Sequence, residues 1–341
     1  MITVVLYSRA DCDLCEIARA DLDSLQEKYP HKLVILDVDS DDDLKREYGF
    51  EVPVVEVGPY RLKTPFNHQE LQMTLGAAND RKLQLEDLEN PEYKRLVQRG
   101  NHWSRADAFT YWLSKHYLAV FNLFVFIYVG LPFIAPIVMK YGMSGSANLV
   151  YRAYSVVCHQ LAFRSFFLFG EQPFYPRNAS GMHGLLTYEV ATGLKEDNQP
   201  ANILLAERYV GNSLVGFKVA LCQRDIAIYG SILFFGIFFA VSGRRLKPLL
   251  WIYWIIVGLI PIGLDGVSQL ISQPPFGFLP YRESTPYLRI ITGSLFGFMT
   301  AWFGYPLVEE TMADSRRILG TKNMRIHQSD EQSSKESIHS E

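Results

Sequence analysis

The chain has 341 residues, of which 48% are hydrophobic and 20% charged, with a formal net charge of -3 and a pI near 6.3. No basic excess is present to neutralise a phosphate backbone, so nucleic acid is excluded as a partner. A mean hydropathy of +0.02 averages over two unlike parts: residues 1 to about 117 are charge-rich, whereas 118–308 carry long apolar runs and lead into a polar tail. The length suits two domains, and this contrast reads as a soluble head joined to a membrane body. The opening MITVVLYSRADC shows no basic segment ahead of an apolar stretch, so no signal peptide is read and the head is expected in the cytoplasm. Four cysteines in a chain of this size do not make a disulfide framework of the small secreted type.

In the head, taken as residues 1–80, Thr3–Tyr7 is a β-rich apolar run. A polar turn follows, then Ile17, Ala20, Leu22 and Leu25 at helical spacing. Leu33–Val38 reads as a second strand, and Asp39–Asp43 can cap a short helix carrying Leu44 and Tyr48, which Gly49 ends. Val52–Val57, a turn at Gly58-Pro59, a short run to Phe66 and a helix from Asn67 through Leu75 complete the order βαβαββα. Cys12 and Cys15 fall between the first strand and the first helix. There a thiol meets unpaired N–H groups and the positive end of the helix dipole, which favour the thiolate on Cys12. Cys15, one turn further in, is placed to attack a mixed disulfide on Cys12 and release the partner. No second CxxC or histidine pair in the head completes a tetrahedral zinc site, so no metal is expected there.

The segments LYSRADCDLCEIARADL and LDVDSDDDLKREYGFEVPVVEV resemble the short glutaredoxin-like family of thioredoxin-fold proteins, over essentially the whole head. The resemblance implies an α/β thioredoxin-like domain, with Cys12 and Cys15 as the reactive dithiol. It also implies that Pro53 is a cis proline beside them, where the preceding backbone pairs with an extended substrate. A TxYC glutathione signature is absent, so the resemblance names no reductant.

Residues 81–117 form a charged linker with partial helix, interrupted by Pro91. Lys94, Arg95, Arg99, Arg105 and Lys115 give it a basic flank, which by the positive-inside rule keeps this side cytoplasmic. Trp103, Tyr111, Trp112 and Tyr117 read as anchors at a membrane interface.

The body, 118–308, is expected to be an all-α polytopic membrane domain with about four spans, near 118–138, 225–241, 249–271 and 288–308. Arg244, Arg245 and Lys247 in one loop, and Arg316, Arg317, Lys322 and Arg325 after the last span, agree with cytoplasmic N- and C-termini. That topology places 139–224, with Cys158, on the opposite face. Residues 148–169 are apolar but broken by Arg152, His159 and Arg164, which fits an interfacial or re-entrant segment better than a span. The tail, 309–341, is expected to be cytoplasmic and disordered.

Cys158-His159-Gln160, Arg164-Ser165-Phe166, Cys222-Gln223-Arg224-Asp225, Asp265-Gly266-x-x-Gln269 and Arg282-Glu283-Ser284-Thr285 occur in that order. Together they resemble a prokaryotic multi-span membrane family of unknown function. In that family the segment around Cys222 commonly has a second cysteine two residues on, where this chain has Arg224-Asp225 after Cys222-Gln223, which counts against a metal site on that pair. Cys158, His159, Cys222, Arg224, Asp265 and Glu283 form a second candidate site. Asp265 either pairs with Arg164, Arg224 or Arg289 or binds an ion. His159 either assists a thiolate, ligates a metal with Cys222 and Asp265, or makes an ordinary hydrogen bond. Cys158 and Cys222 are either a disulfide or two buried free thiols.

The expected function is a membrane-tethered thiol–disulfide oxidoreductase acting on cytoplasmic protein or small-molecule thiols, in a prokaryotic cell membrane, without cofactor or metal. Two alternatives stand beside it: a transporter or channel with a redox-sensing head, and a membrane assembly protein whose head has vestigial chemistry.

Overall fold

The computed structural model describes residues 2–40, 42–87, 95, 99–100, 102–194, 200–273 and 276–339. The chain forms two compact units, Met1–Lys115 together with Thr311–Glu341, and His116–Glu310.

The first unit contains β1 (Ile2–Ser8), α1 (Asp13–Ser24), β2 (His31–Asp37), α2 (Asp42–Tyr48), β3 (Val54–Val57), β4 (Tyr60–Lys63) and α3 (His68–Asp87). The sheet order is β2-β1-β3-β4, with β1 parallel to β2 and β3 antiparallel to both β1 and β4. This is a thioredoxin-like arrangement in the element order read from the sequence.

The period-two geometry of a strand explains the layering, because successive side chains leave on opposite faces. Val4 and Leu6 pack with Val55 and Val57 against Leu22, Leu71 and Leu75. Val5, Tyr7 and Val54 enter a second cluster with Leu44 and Tyr48. Full burial of each such aliphatic side chain contributes roughly 1.5–3 kcal/mol. Helix α3 starts with a reciprocal cap: the Glu70 amide donates to Asn67 Oδ1 and the Asn67 amide to Glu70 Oε2, both at 2.9 Å. It then runs past the expected end at Leu75 to Asp87, into the linker. Pro91 and Lys94 of that linker lie outside the described residues.

The second unit begins in the 36-residue α4 (Arg105–Lys140) and continues with α5 (Ser144–Ser155), β5 (Ser165–Leu168), α6 (Tyr188–Thr192), α7 (Pro200–Arg208), β6 (Gly211–Asn212) and β7 (Gly216–Cys222). Then come α8 (Gln223–Val241), α9 (Trp251–Ile271, with a π-helical stretch at Trp254–Leu259) and the 54-residue α10 (Pro286–His339). Three described helices are long and apolar enough to cross a membrane: Arg105–Lys140, Gln223–Val241 and Trp251–Ile271. Only 22%, 22% and 17% of their most apolar stretches are buried, and Phe124 and Phe126 of α4 are 67% and 60% exposed. Apolar surface of that extent suits lipid as its solvent.

Helices α8 and α10 meet closely. A Cβ on Gly297 would lie 2.1 Å from the Ile228 carbonyl oxygen, and one on Gly293 would lie 2.9 Å from that of Arg224. The small-xxx-small spacing of Gly293 and Gly297 is what permits this approach. Phe235 is buried below them, with ring centroids of Phe298 and Tyr305 at 5.2 and 6.0 Å.

The structure adds detail to the expectations for the body. Residues 148–169 are not one membrane-embedded helix: α5 stops at Ser155, and the chain turns through Cys158 into a 3₁₀ turn at Ala162–Arg164 and then β5. The largely helical body also carries a three-stranded sheet of order β5-β7-β6, in which Ser165 pairs with Cys222. The expected fourth span, 288–308, is helical within α10 but is not one of the three helices above. The tail is not disordered where described, since α10 continues to His339. Asp314 and Arg317 pair one turn apart on it, and no proline follows Pro306 to break it.

Candidate functional sites

In the head, Cys12 is the N-cap of α1 and forms a disulfide with Cys15. The Cys15 amide donates to Cys12 Sγ at 3.2 Å, and the amides of Cys15 and Glu16 reach the Cys12 carbonyl at 3.0 and 3.2 Å. The Cys15 amide, one of the donors that the first helical turn leaves unpaired, is thus met by the Cys12 sulfur. Cys15 is buried at 3% exposure while Cys12 is half-buried, an asymmetry that gives an incoming partner access to Cys12 first. Leu14 and Ile17, on the same first turns, are exposed apolar side chains.

The Val52-Pro53 peptide is cis. Tyr7 at the end of β1 pairs with Val54 at the start of β3, so Pro53 and the Cys12 loop lie at the same end of the sheet. The Pro53 carbonyl accepts a hydrogen bond from the Thr64 hydroxyl at 3.1 Å.

In the body, Cys222 is the N-cap of α8 and its sulfur accepts the Asp225 amide at 3.4 Å. Cys158 follows α5, and its sulfur accepts the Gln160 amide at 3.5 Å. The turn that makes this possible puts Gln160 at φ 51°, where its side chain donates to the Tyr151 carbonyl at 2.8 Å. The β5–β7 pairing brings the two cysteines together, and both are free. The Cys222 thiol donates to the Cys158 sulfur, which holds Cys158 below the ordinary thiol pKa. The same bond, with burial, keeps Cys222 well above it.

A cavity of about 440 Å³ opens beside the pair, lined by Cys158, His159, Arg164, Cys222, Arg224, Asp225, Gln269 and Arg289 among others. Asp265 takes Arg224 of the three offered arginines. It also accepts from Arg282 Nη2 at 2.9 Å and Ser284 Oγ at 2.7 Å. Arg164 and Arg289 instead hold Glu283: Arg164 donates through Nε and Nη2 at 2.8 and 3.1 Å, and Arg289 forms a second ion pair. Burial pushes the Glu283 carboxyl up, but Arg164 and Arg289 outweigh it and hold it below the usual range.

Asp265 and Glu283 therefore tie down the arginines of the cavity wall and do not join the thiols. His159 lines the cavity but lies outside the tight cluster of Cys158, Cys222 and Asp225. Asp225 is not among the residues expected from the sequence at this site, where it stands only as part of a departure from the family pattern. Its position three residues after a cysteine at a helix N-terminus was the signal that could have found it.

Residues 3–76 match the family model of the glutaredoxin-like domain (DUF836), and residues 207–303 match that of the predicted membrane protein family DUF2085. The chain thus carries a glutaredoxin-like domain and a membrane domain. An uncharacterised protein of Methanocaldococcus jannaschii is 26% identical over 207 residues, covering 58% of this chain and 96% of that one. No solved structure is a significant match.

Proposed function

We propose that the protein is a membrane-tethered thiol–disulfide oxidoreductase whose working group is the Cys12/Cys15 dithiol. The observation that carries this reading is the Cys12–Cys15 bond at the N-terminus of α1 in a glutaredoxin-like domain, with Cys12 the more accessible sulfur. In the reductive direction the Cys12 thiolate attacks a partner disulfide and displaces one partner sulfur as a thiolate. Cys15 then attacks the mixed disulfide, forms the Cys12–Cys15 bond and releases the second sulfur. The two electrons are restored by a cytoplasmic protein dithiol or two small-molecule thiols.

Cytoplasmic N- and C-termini of a prokaryotic cell membrane belong to the same proposal. They are supported by the joining of Met1–Lys115 and Thr311–Glu341 in one compact unit, since two segments packed together share a side of any bilayer. An even number of crossings follows, with the first part of α10 as the fourth. A redox-sensing transporter is the second reading, favoured by the cavity walled with ion-paired arginines in the body.

The test is disulfide exchange by the full-length protein in detergent. Under the first reading Cys12→Ser abolishes turnover, and Cys15→Ser accumulates a mixed disulfide on Cys12. Exchange no faster than that of a free dithiol would point instead to a head that senses redox state or has lost its chemistry.

A further inference from the structure

We infer that Cys158, Cys222 and Asp225 are a three-ligand site for a divalent metal ion of the zinc class, with its remaining coordination position open to the adjoining cavity. The ligand atoms of these three residues all lie within 4.8 Å of one another. A tetrahedral ion, with bonds of about 2.3 Å to sulfur and 2.0 Å to oxygen, sets its ligands roughly 3.5–3.8 Å apart, so the cluster need only tighten around it.

The backbone holds these ligands from both sides. Cys222 and Asp225 stand one helical turn apart on α8, and Cys158 is brought to them from a remote part of the chain by the β5–β7 pair. Each sulfur accepts a backbone amide, from Gln160 and from Asp225. Such second-layer donors orient metal-bound sulfur and offset its negative charge. The arginines nearby are engaged elsewhere: Arg224 with Asp265, and Arg164 and Arg289 with Glu283. Among the described residues no ion pair occupies the Asp225 carboxylate.

A second, independent observation lies on the cavity side. Gln269 lines the cavity at 6% exposure and its Nε2 has no hydrogen-bond partner, and the buried Nε of Arg224 is likewise unpaired. Buried donors without a partner are costly, and a metal-bound water, hydroxide or small anion would accept from both. Three protein ligands with an open fourth position is the layout of a catalytic rather than a purely structural zinc site. Two sulfurs select against the hard cations, which take oxygen ligands. As the ion enters, each cysteine that is still a thiol gives up its proton to solvent.

The experiment uses the full-length Cys12→Ser/Cys15→Ser protein in detergent, which removes the head thiols as competing ligands. After phosphine reduction it is loaded with Zn²⁺ or Co²⁺, desalted and analysed. The expected result is about one ion per chain and, for cobalt, sulfur-to-metal charge-transfer absorption with the intense visible bands of a tetrahedral site. Adding Cys222→Ser should remove most of that absorption, and adding Asp225→Asn should weaken binding by at least about tenfold. A cobalt spectrum without sulfur charge transfer would overturn the inference, and this readout needs no variant of the site itself. Metal content unchanged by Cys222→Ser, or thiols that form a Cys158–Cys222 disulfide in the presence of metal, would overturn it too.

Discussion

The Glu283 carboxylate is gripped by Arg164 through two hydrogen bonds, of 2.8 and 3.1 Å, with the glutamate side chain only 2% exposed. A buried pair broken on one side leaves a charge without compensation, at a cost of about 3–5 kcal/mol. Glu283→Gln leaves Arg164 and Arg289 facing each other and should lower the thermal midpoint of the body strongly. Arg164→Gln leaves Glu283 with Arg289, so its loss should be smaller. Thermal unfolding in detergent checks the order, and equal effects would show that the network does not act as described.

Two glycines in long helices should respond oppositely to alanine. Gly297 has the Ile228 carbonyl at 2.1 Å from its would-be Cβ, whereas Gly130 has nothing within 4 Å. Gly297→Ala must push α10 from α8 and should destabilise the body, while Gly130→Ala gains helix propensity of up to about 1 kcal/mol. Unfolding midpoints of the two variants, measured together, decide this.

Lys218 is fully buried on β7, its ammonium donating to the carbonyls of Gln160 and Glu207 at 2.7 and 2.6 Å. Burial pulls its pKa down to about 7 from an ordinary 10.5, with Cys158 and Glu207 opposing the drop. The unfolded chain therefore holds more protons than the folded one between those two values, so stability rises with pH across that window. The contribution is greatest above the unfolded value and is lost as pH falls through about 7. Lys218→Met should flatten this rise in an unfolding series from pH 6 to 10, a range of about four pH units that spans both protonation states.

In the head, Leu22 is wholly buried between α1 and the sheet. Leu22→Ala should cost about 2–5 kcal/mol by opening a cavity. Chemical denaturation followed by a probe in the head should show a lower midpoint, with the transition of the body unmoved.

The head was legible because its signals are local: Val4 and Leu6 alternate with Val5 and Tyr7, and the CxxC sits where a strand meets a helix. The small sheet of the body was not. Lys218 interrupts β7 with a charge that only tertiary hydrogen bonds to Gln160 and Glu207 make tolerable, so the strand does not read as apolar. The sheet pairing of Ser165 with Cys222 joins positions far apart in the chain, and no periodicity announces it. The candidate residues Cys158, Cys222, Asp265 and Glu283 were visible as polar groups in an apolar body. Which arginine serves which carboxylate depended on α9, α10 and the turn after α5 being in place.

Met324, far along α10, packs with Val52 against the Val5, Tyr7 and Tyr48 cluster, and Arg317 pairs with Glu47. The order of synthesis gives this packing a biological clock. The ribosome delivers the thioredoxin-like sheet first and Met324 only after the three long apolar helices described above have emerged. Until Met324 has been made, the nascent head waits with one flank open to chaperones. A stop codon before Met324 would leave that flank bare in a protein whose dithiol is otherwise intact.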